Sequence, residues 1–377
     1  MRNKSLRKKS QEMKTNPFKF GTVVDGPYFT DREAEQEKIG SFIKGENHLI
    51  LISPRRYGKT SLIKKVINES KCRNVYLDLQ LITSPEDFAA QLLKRVYRIF
   101  PVQKMKDYIK SFRIIPSVSL NPVTGEIDVS FSKGFQEMVP LEDVLNLIEK
   151  YGSASRKTIV ILDEFQEIFR IGSGIDRVLR SIMQVHKNIN YIFLGSSESL
   201  IREIFEQKKS PFYHSGYLMT IDKIPKEIFA RFIEGKFINI SNKAKDLSEK
   251  ILEKTNSHPY YTQQLSFSVW EIMNRSGYSS EIVETASNEI ILSHDNDYER
   301  LWNSFNRTEM MILIGMSESV YSPLSEQFSR HYGTGALSTV FSSLKRLTQK
   351  GILIKTAKSY SLDDPFFRQW IITRRRI

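Results

Sequence analysis

Cysteine is almost absent from this sequence, and long apolar runs are absent altogether. The single cysteine, Cys72, cannot form a disulfide within the chain and suits a reducing compartment, so we expect a cytoplasmic protein. No run approaches the roughly eighteen apolar residues that a membrane-spanning helix needs. The charged start, MRNKSLRKKSQEMK, has no apolar stretch of the signal-peptide kind. The six histidines have no metal-ligand spacing, so a zinc site is not expected.

Acidic residues are also in deficit, because 43 Asp and Glu against 56 Lys and Arg give a net charge of +13. Most of the excess lies at the two ends, where residues 1–15 contribute +5 and the arginines at 374–376 contribute +3. Such ends could bind nucleic-acid phosphates or acidic lipid headgroups, or could serve only to aid solubility. The length of 377 residues, 40% of them hydrophobic, allows two or three domains.

Short apolar runs alternate with helical patterns between residues 48 and 222. The runs rich in β-branched residues are 48–52, 74–79, 158–163, 191–195 and 217–222. Continuous apolar strands separated by helices predict a parallel sheet covered on both faces. Residues 113–132 instead alternate with period two on both sides of NPVTGE, which predicts a β-hairpin inserted before the third strand. We therefore predict an α/β domain over residues 16–224.

The pattern becomes helical after residue 224. Residues 225–299 contain three segments with apolar spacing of three and four, and Pro225 suits a first helical turn. Residues 300–373 continue with helices and then ILIKTAKSYSLDD, which has the pattern of a two-stranded wing. The sequence thus predicts a helical domain and a winged helix, with basic ends at 1–15 and 374–377.

The stretch LISPRRYGKTSLIKK, residues 51–65, predicts a phosphate-binding loop between a strand and a helix. The N–H groups of such a loop and of the first helical turn face an anion. Lys59 would contact the β- and γ-phosphates of ATP, and the Thr60 hydroxyl would bind Mg²⁺. The remaining residues expected around the phosphates are Ser53, Pro54, Arg55, Arg56, Tyr57, Gly58 and Ser61. Ser53 stands where these loops normally begin with glycine, so a basic turn without a ligand is the alternative.

A pair of carboxylates follows the buried strand in TIVILDEFQEI. Asp163 and Glu164 would lie at the carboxyl end of that strand, where open α/β sheets bind ligands. Asp163 would hold Mg²⁺ through water, and Glu164 would polarise the attacking water. The two carboxylates could instead cap a helix beginning at Phe165. After the next strand, Ser196 or Ser197 could bind the γ-phosphate or the lytic water, or could be ordinary turn residues.

Together these segments resemble the AAA+ superfamily and, more closely, the archaeal and bacterial ATPase-like group of STAND-type P-loop NTPases. The resemblance covers about residues 16–370 and also rests on NPFKFGTVVDGPYFTDREAE, NSHPYYTQQL and SLDDPFFRQW. It implies an α/β three-layer sandwich with a parallel sheet, followed by a helical lid and a winged helix. It also implies that ATP or ADP binds together with Mg²⁺.

The resemblance implies contacts beyond the phosphates. A segment before the phosphate loop would lie against adenine, and a lid motif would close over the nucleotide. These two groups are Tyr28, Phe29 and Arg32, and His258, Pro259 and Tyr260. Relatives commonly have an arginine near the segment written SPFYHSG here, which in this chain has only His214 as a basic group. We therefore expect slow hydrolysis, or a charge supplied by a partner.

Three functions fit these patterns. The first is an ATP-binding switch with slow Mg²⁺-dependent hydrolysis, which could involve a protein partner or a nucleotide-dependent homo-oligomer. The second is an ATP-regulated DNA-binding regulator or mobile-element protein, although winged helices of this family also serve as intramolecular packing modules. Its DNA contacts would be Ser338, Thr339, Ser342, Lys345 and Arg346 in a helix, and Lys355 and Lys358 in the wing. The third is a degenerate site that binds nucleotide only structurally.

Overall fold

The computed structural model describes residues 15–132, 137–318, 321–355 and 359–375. The chain divides into two compact units, one from Arg32 to Asp222 and one that joins residues 15–31 to the chain from Lys223 onward. Residues 1–14 and 376–377 of the predicted basic ends lie outside the described residues. We expected residues 16–31 in the α/β domain, but they group with the helical unit. Phe18 is the physical reason, because its ring packs 5.2 Å from that of Phe237.

The first unit is built on a parallel sheet. Its strands are β1 (Leu49–Ile52), β2 (Arg73–Asp78), β3 (Ser117–Leu120), β4 (Ile127–Ser130), β5 (Thr158–Asp163), β6 (Ile189–Gly195) and β7 (Tyr217–Thr220). Five of these form a sheet in the order β2-β5-β6-β1-β7, and every neighbouring pair is parallel. Every residue of β1, β5 and β6 is buried, as expected for strands covered on both faces. The predicted α/β sheet is therefore confirmed.

Helices cover the sheet of the first unit. They are α1 (Glu33–Lys44), α2 (Lys59–Ser70), α3 (Pro85–Ile99), α4 (Val102–Lys110), α5 (Val139–Tyr151), α6 (Ile168–Ile171), α7 (Ile175–Val185) and α8 (Glu198–Glu206). Helix α3 begins as the sequence favours, with Pro85 in its first turn and the Ser84 hydroxyl accepting from the Asp87 N–H. The predicted hairpin is also present, since β3 and β4 pair antiparallel and β4 packs against α3.

The second unit is helical and ends in a winged helix. Its elements are α9 (Lys226–Phe237), α10 (Ala244–Thr255), α11 (Pro259–Ser276), α12 (Ile282–Ser293), α13 (Asp295–Asn303), α14 (Arg307–Glu318), α15 (Glu326–Tyr332), α16 (Leu337–Gln349), β8 (Leu353–Lys355), β9 (Tyr360–Leu362) and α17 (Pro365–Arg374). Strands β8 and β9 pair antiparallel as the wing. None of the helices in the described part of the chain is both long enough and apolar enough to cross a membrane.

One hydrophobic core runs through the whole second unit. It contains Phe229 and Trp270 from the helical part as well as Phe328 and Trp370 from the winged helix, and all three tryptophans of the chain belong to it. The predicted lid and the predicted winged helix therefore share a core. Two contacts hold helix α17. At its start, the Asp364 carboxylate accepts from the N–H groups of Phe366 and Phe367. Further along, the Trp370 indole donates to Asp295 over 2.7 Å.

Two histidines lie near the amino ends of the central strands. The Tyr191 N–H donates to His48 Nδ1 over 3.4 Å, and His186 Nδ1 lies 2.8 Å from the Tyr191 hydroxyl. Burial lowers the pKa of His48 to about 4, with a further contribution from the positive charges of Arg180 and Lys157. Burial also lowers the pKa of His186. Both imidazoles are therefore neutral at pH 7.

These shifts predict that acid destabilises the first unit. The ordinary pKa of His48 is 6.5 and its folded pKa is about 4, so the unfolded chain binds more protons between these values. The free energy of unfolding should therefore fall as the pH drops through this window. In His48→Asn, which keeps an acceptor for the Tyr191 N–H, the difference between about pH 7 and about pH 4.5 should shrink. Urea unfolding followed by circular dichroism measures it, with the exposed His331→Asn as control, and an unchanged difference in His48→Asn would contradict the prediction.

Candidate functional site

The predicted phosphate loop connects β1 to α2 at the carboxyl edge of the sheet. Gly58 has a φ of 87°, in the left-handed region that glycine adopts without strain, and α2 begins at the next residue. Lys59 and Ser61 are buried, and Thr60 is half-buried. The N-terminal end of a helix such as α2 is the end that favours an anion, because its N–H groups and its dipole are directed there. The loop therefore has the local geometry that the sequence predicts.

Ser53 fits this loop without being glycine. It is not among the residues with positive φ, and its side chain is fully buried. Its N–H donates to the Gly195 carbonyl over 3.2 Å, and its hydroxyl donates to the Pro54 carbonyl over 3.0 Å. The conformational freedom of glycine is therefore not needed at this position.

The side chains in the middle of the loop differ in exposure. Arg55 and Arg56 are exposed, whereas Pro54 is half-buried and Tyr57 is buried. Arg56 has a φ of 66°, which is strained for a residue with a side chain. The turn of the loop thus falls at Arg56 and Gly58, and the two arginines carry their charge at its surface.

Lys59 lies between the two predicted carboxylates. Its Nζ is 3.3 Å from Asp163 Oδ1 and 3.3 Å from Glu164 Oε1, and the Thr60 hydroxyl donates to Asp163 Oδ2 over 3.2 Å. Lys59 is 6% exposed and Asp163 5%, so water screens these charges little. Two carboxylates against one ammonium leave a net negative charge beside a hydroxyl. This donor set fits Mg²⁺, which prefers oxygen ligands of this kind.

Glu164 is held by three side chains and does not cap a helix. Its Oε1 contacts Lys59, while its Oε2 accepts from the Ser196 hydroxyl over 2.6 Å and from Gln166 Nε2. Residues Phe165–Glu167 form a 3-10 turn, and the Glu164 side chain makes no cap hydrogen bond. Of the two candidate serines, Ser196 thus reaches the site, whereas Ser197 precedes α8 without a side-chain cap. The capping alternative for Glu164 is therefore wrong.

The site contains residues that the sequence did not single out. The Tyr76 hydroxyl donates to Asp163 Oδ2, and Asp78 lies directly beside Asp163 across the β2–β5 pair. Burial and the neighbouring Asp163 raise the pKa of Tyr76, so it is a neutral donor. Burial also raises the pKa of Asp78. Gln166 is the third missed residue, and its partner Glu164 lies only two positions away. The parallel register is the signal that would have found Asp78, but the order of the strands is not legible from the sequence.

The three residues expected against adenine belong to different units. In the second unit, the Tyr28 carbonyl accepts from Gln263 of α11 over 3.1 Å, and Phe29 is half-buried. In the first unit, Arg32 is buried, and its guanidinium donates to Glu35 over 2.8 Å and to the Asp222 carbonyl over 2.6 Å. The guanidinium thus joins the first residue of this unit to its last. Contact of these three residues with adenine stays a prediction.

The predicted lid motif forms the start of α11. Pro259 is the first residue of the helix, as its sequence context favours, and His258 Nδ1 accepts from the Tyr260 N–H over 3.2 Å. His258 is 1% exposed, and its Nε2 lies 3.3 Å from Asp363 Oδ1. Tyr260 packs edge-on against Phe20. His258 therefore ties the start of α11 to the segment before α17, and its role toward a nucleotide stays a prediction.

The segment SPFYHSG has an arginine neighbour from elsewhere in the chain. Arg180 of α7 donates through Nε to the Pro211 carbonyl over 3.2 Å. Arg202, the nearest arginine before the segment, pairs with Glu198 and Glu206 on its own helix. Both arginines are thus engaged with main-chain or helix partners.

The predicted DNA contacts on the winged helix separate into two kinds. Exposed side chains on α16 and β8 are Ser338, Thr339, Ser342, Lys345 and Lys355. Arg346 is exposed as well, but its guanidinium donates to the buried carboxylate of Glu309 over 3.0 Å. Lys358 lies outside the described residues. The exposed group stays a predicted interface, and Arg346 has an observed structural partner.

The sheet, the phosphate loop and the carboxylate pair define a P-loop ATPase fold. The chain matches a family model described as an ATPase domain predominantly from Archaea over residues 29–265, which is more than half of its length. The chain therefore belongs to this archaeal ATPase family. Residues 296–373 match a probable winged helix domain.

Solved structures agree with this fold. The Walker-type ATPase PABY2304 of Pyrococcus abyssi aligns with a TM-score of 0.65 and 18% identity, covering 91% of this chain and 95% of the other. The ORC2 protein of Aeropyrum pernix, solved in ADPNP and ADP complexes, aligns with a TM-score of 0.57 and 13% identity, covering 95% and 99%. At these identities the likeness shows the fold alone. None of the curated proteins compared with this chain is similar enough to count as a match.

Substitutions at the two ends of the phosphate loop should differ in their effect on ATP affinity. Ser53→Gly should leave ATP affinity unchanged and lower the free energy of unfolding by about 1 kcal/mol, because glycine has more freedom in the unfolded chain. Gly58→Ala should cost about 1–2 kcal/mol, because its φ of 87° is unfavourable for alanine. It should also weaken ATP binding about tenfold, since an alanine that avoids this φ would displace the backbone N–H groups of the loop. Calorimetry and urea unfolding of both variants test this pair, and a loss of affinity confined to Ser53→Gly would contradict it.

Proposed function

We propose that this protein binds Mg-ATP at the carboxyl edge of the first unit and hydrolyses it slowly, as a nucleotide-controlled switch of the STAND type. The observation that carries the proposal is the position of Lys59 Nζ, 3.3 Å from both Asp163 and Glu164 at the start of α2. An ammonium at a helix N-terminus is suited to the β- and γ-phosphates. Thr60 and Asp163 would hold Mg²⁺, which neutralises charge on the phosphates when it is bound.

The expected slow turnover has a local explanation. As a general base, Glu164 must polarise a water molecule, yet both of its oxygens accept hydrogen bonds, from Lys59 on one side and from Ser196 and Gln166 on the other. With both oxygens in contact with donors, the carboxylate can accept from a water molecule only after one of these contacts is broken. Transfer of Lys59 to a phosphate would release Oε1. Arg180 reaches the segment SPFYHSG but donates to a carbonyl there, which supports a site without an arginine on the γ-phosphate.

The switch part of the proposal rests on the construction of the second unit. His258 contacts Asp363, and the helical part and the winged helix share one core. A displacement at the start of α11 would therefore also displace α17. Binding of a protein partner, or nucleotide-dependent assembly of a homo-oligomer, would depend on this change of conformation. We also propose a cytoplasmic location, because a chain with a single cysteine suits a reducing compartment.

Two substitutions separate binding from hydrolysis. Lys59→Ala should weaken ATP binding by about 10- to 100-fold, because a charge-assisted contact is worth about 1.5–3 kcal/mol. Glu164→Gln should keep ATP affinity and lower turnover at least about 100-fold, as expected for loss of a general base. Calorimetry measures the first effect and single-turnover phosphate release the second.

The exposed Lys44→Ala on α1 is the matched control and should change neither quantity. Unchanged ATP affinity in Lys59→Ala would overturn the site. Tight ATP binding with only background phosphate release in the unsubstituted protein would select the degenerate, structural site instead.

A second candidate function is ATP-regulated DNA binding through the winged helix. The observation that favours it is the row of exposed hydroxyl and ammonium groups on α16, with Lys355 exposed at the end of β8. Such groups suit contacts to phosphates and base edges in a groove. The partnership of Arg346 with Glu309 limits this surface, because that guanidinium already has a buried carboxylate as partner.

DNA binding should be retained at low salt and should fall steeply as salt rises. Lys345→Ala and Lys355→Ala should each reduce the slope of log affinity against log salt by about 1. The exposed Lys245→Ala on α10 serves as control. Fluorescence anisotropy with a short duplex, with and without ATP, measures these effects. An absence of DNA retention at low salt rejects this function and leaves the winged helix as a packing module.

A further inference from the structure

Four hydrogen-bond donors converge on the buried carboxylate of Asp163. On Oδ1, the Glu164 N–H donates over 2.9 Å and Lys59 Nζ lies at 3.3 Å. On Oδ2, the Thr60 hydroxyl donates over 3.2 Å and the Tyr76 hydroxyl donates as well. Because Asp163 is only 5% exposed, water has little access to replace any of them. The orientation of this carboxylate is therefore set by these four groups.

The four donors are not equivalent once the proposed function is considered. Lys59 is the group that would move to the phosphates, which would free Oδ1. Thr60 is itself a proposed metal ligand, so its position would depend on the metal. Tyr76 is the one side-chain donor on Asp163, within the described residues, that has no role toward phosphate or metal. It would thus keep Oδ2 anchored while Oδ1 becomes available to a metal-bound water.

The register of the sheet explains why a tyrosine stands at this position. Tyr76 lies opposite Ile161 and Asp78 lies opposite Asp163, so the tyrosine must reach two residues along the strand direction. Two residues of strand span about 7 Å, which a serine or threonine hydroxyl does not cover but a tyrosine hydroxyl does. Lys64 Nζ lies 5.4 Å from the centre of the ring and holds it from the α2 side.

We propose that Tyr76 is a positioning residue for the magnesium-binding carboxylate of Asp163. This inference rests on the proposed function and deepens it. Groups that orient metal ligands commonly affect metal affinity by about 10- to 100-fold. The competing explanation is that the Tyr76 hydroxyl merely satisfies a buried carboxylate and acts only on stability. The two explanations differ in the dependence of nucleotide binding on Mg²⁺.

Tyr76→Phe tests the inference, because it removes the hydroxyl and keeps the ring. Calorimetry with the non-hydrolysable analogue AMP-PNP over a series of Mg²⁺ concentrations gives the concentration for half-maximal binding. We expect this concentration to rise about 10- to 100-fold. The Mg²⁺-free affinity, measured with EDTA, should stay unchanged, and the ligand-free melting temperature should fall by no more than the loss of one hydrogen bond explains. Tyr97→Phe, at a half-buried tyrosine on α3, should behave as the unsubstituted protein does.

A donor-retaining replacement completes the experiment. The amino group of p-aminophenylalanine, introduced in place of Tyr76, donates from nearly the same point and should restore most of the Mg²⁺ dependence. An unchanged Mg²⁺ dependence in Tyr76→Phe would overturn the inference. So would a Tyr76→Phe protein that melts markedly lower and loses Mg²⁺-free binding in parallel, since the role would then be structural. A lack of Mg²⁺-dependent AMP-PNP binding in the unsubstituted protein would instead refute the proposed function.

Discussion

The buried ammonium of Lys59 is the constraint on which the carboxyl edge of the first unit depends. Two carboxylates from adjacent residues lie in a site of low exposure, where like charges repel strongly. Lys59, more than 100 residues away in the chain, lies at equal distance from both carboxylates and reduces the repulsion between them. Breaking a buried ion pair by removing one partner commonly costs about 3–5 kcal/mol. The residue proposed to bind nucleotide is thus also the residue that stabilises the carboxylate pair.

Lys59 therefore has two roles, because it stabilises the carboxylate pair and is proposed to bind the phosphates. A ligand that draws the ammonium toward its phosphates must supply a replacement charge for the carboxylates, and Mg²⁺ has the charge and the ligand preference to do so. Each carboxylate oxygen of Asp163 and Glu164 contacts at least one donor, with donors from β2, α2 and the turn after β6. Such networks are specific because an unpaired member in a low-dielectric site is costly. We therefore expect nucleotide and metal to enter the site together.

The sequence predicts the scaffold well because the scaffold depends on local patterns. The apolar run at 158–163 became β5 with the same bounds, and the run at 48–52 became β1 within one residue, since strands buried on both faces are continuously apolar. The Gly-Lys-Thr element and the Asp163–Glu164 pair are likewise legible as short motifs. The misplacement of residues 16–31 has a physical cause, because Asn16 and Phe18 find their partners about 250 residues later, on α11.

The remaining features depend on which strands and helices become neighbours. Tyr76 reads as an ordinary strand residue until β2 is known to lie beside β5. The contact of His258 with Asp363 joins residues more than 100 positions apart, and no local sequence pattern predicts it. Ser53 is the opposite case, because the motif alone favoured glycine and the backbone conformation removed that requirement. Motifs thus identify the chemistry, and register decides which further side chains take part.

The distribution of tryptophan gives the molecule a built-in optical reporter. Trp270, Trp302 and Trp370 are buried in the core of the second unit, and the first unit has no tryptophan. Intrinsic tryptophan emission consequently originates entirely in the second unit. A change of emission on addition of nucleotide would therefore report on the second unit, and it would do so without a label.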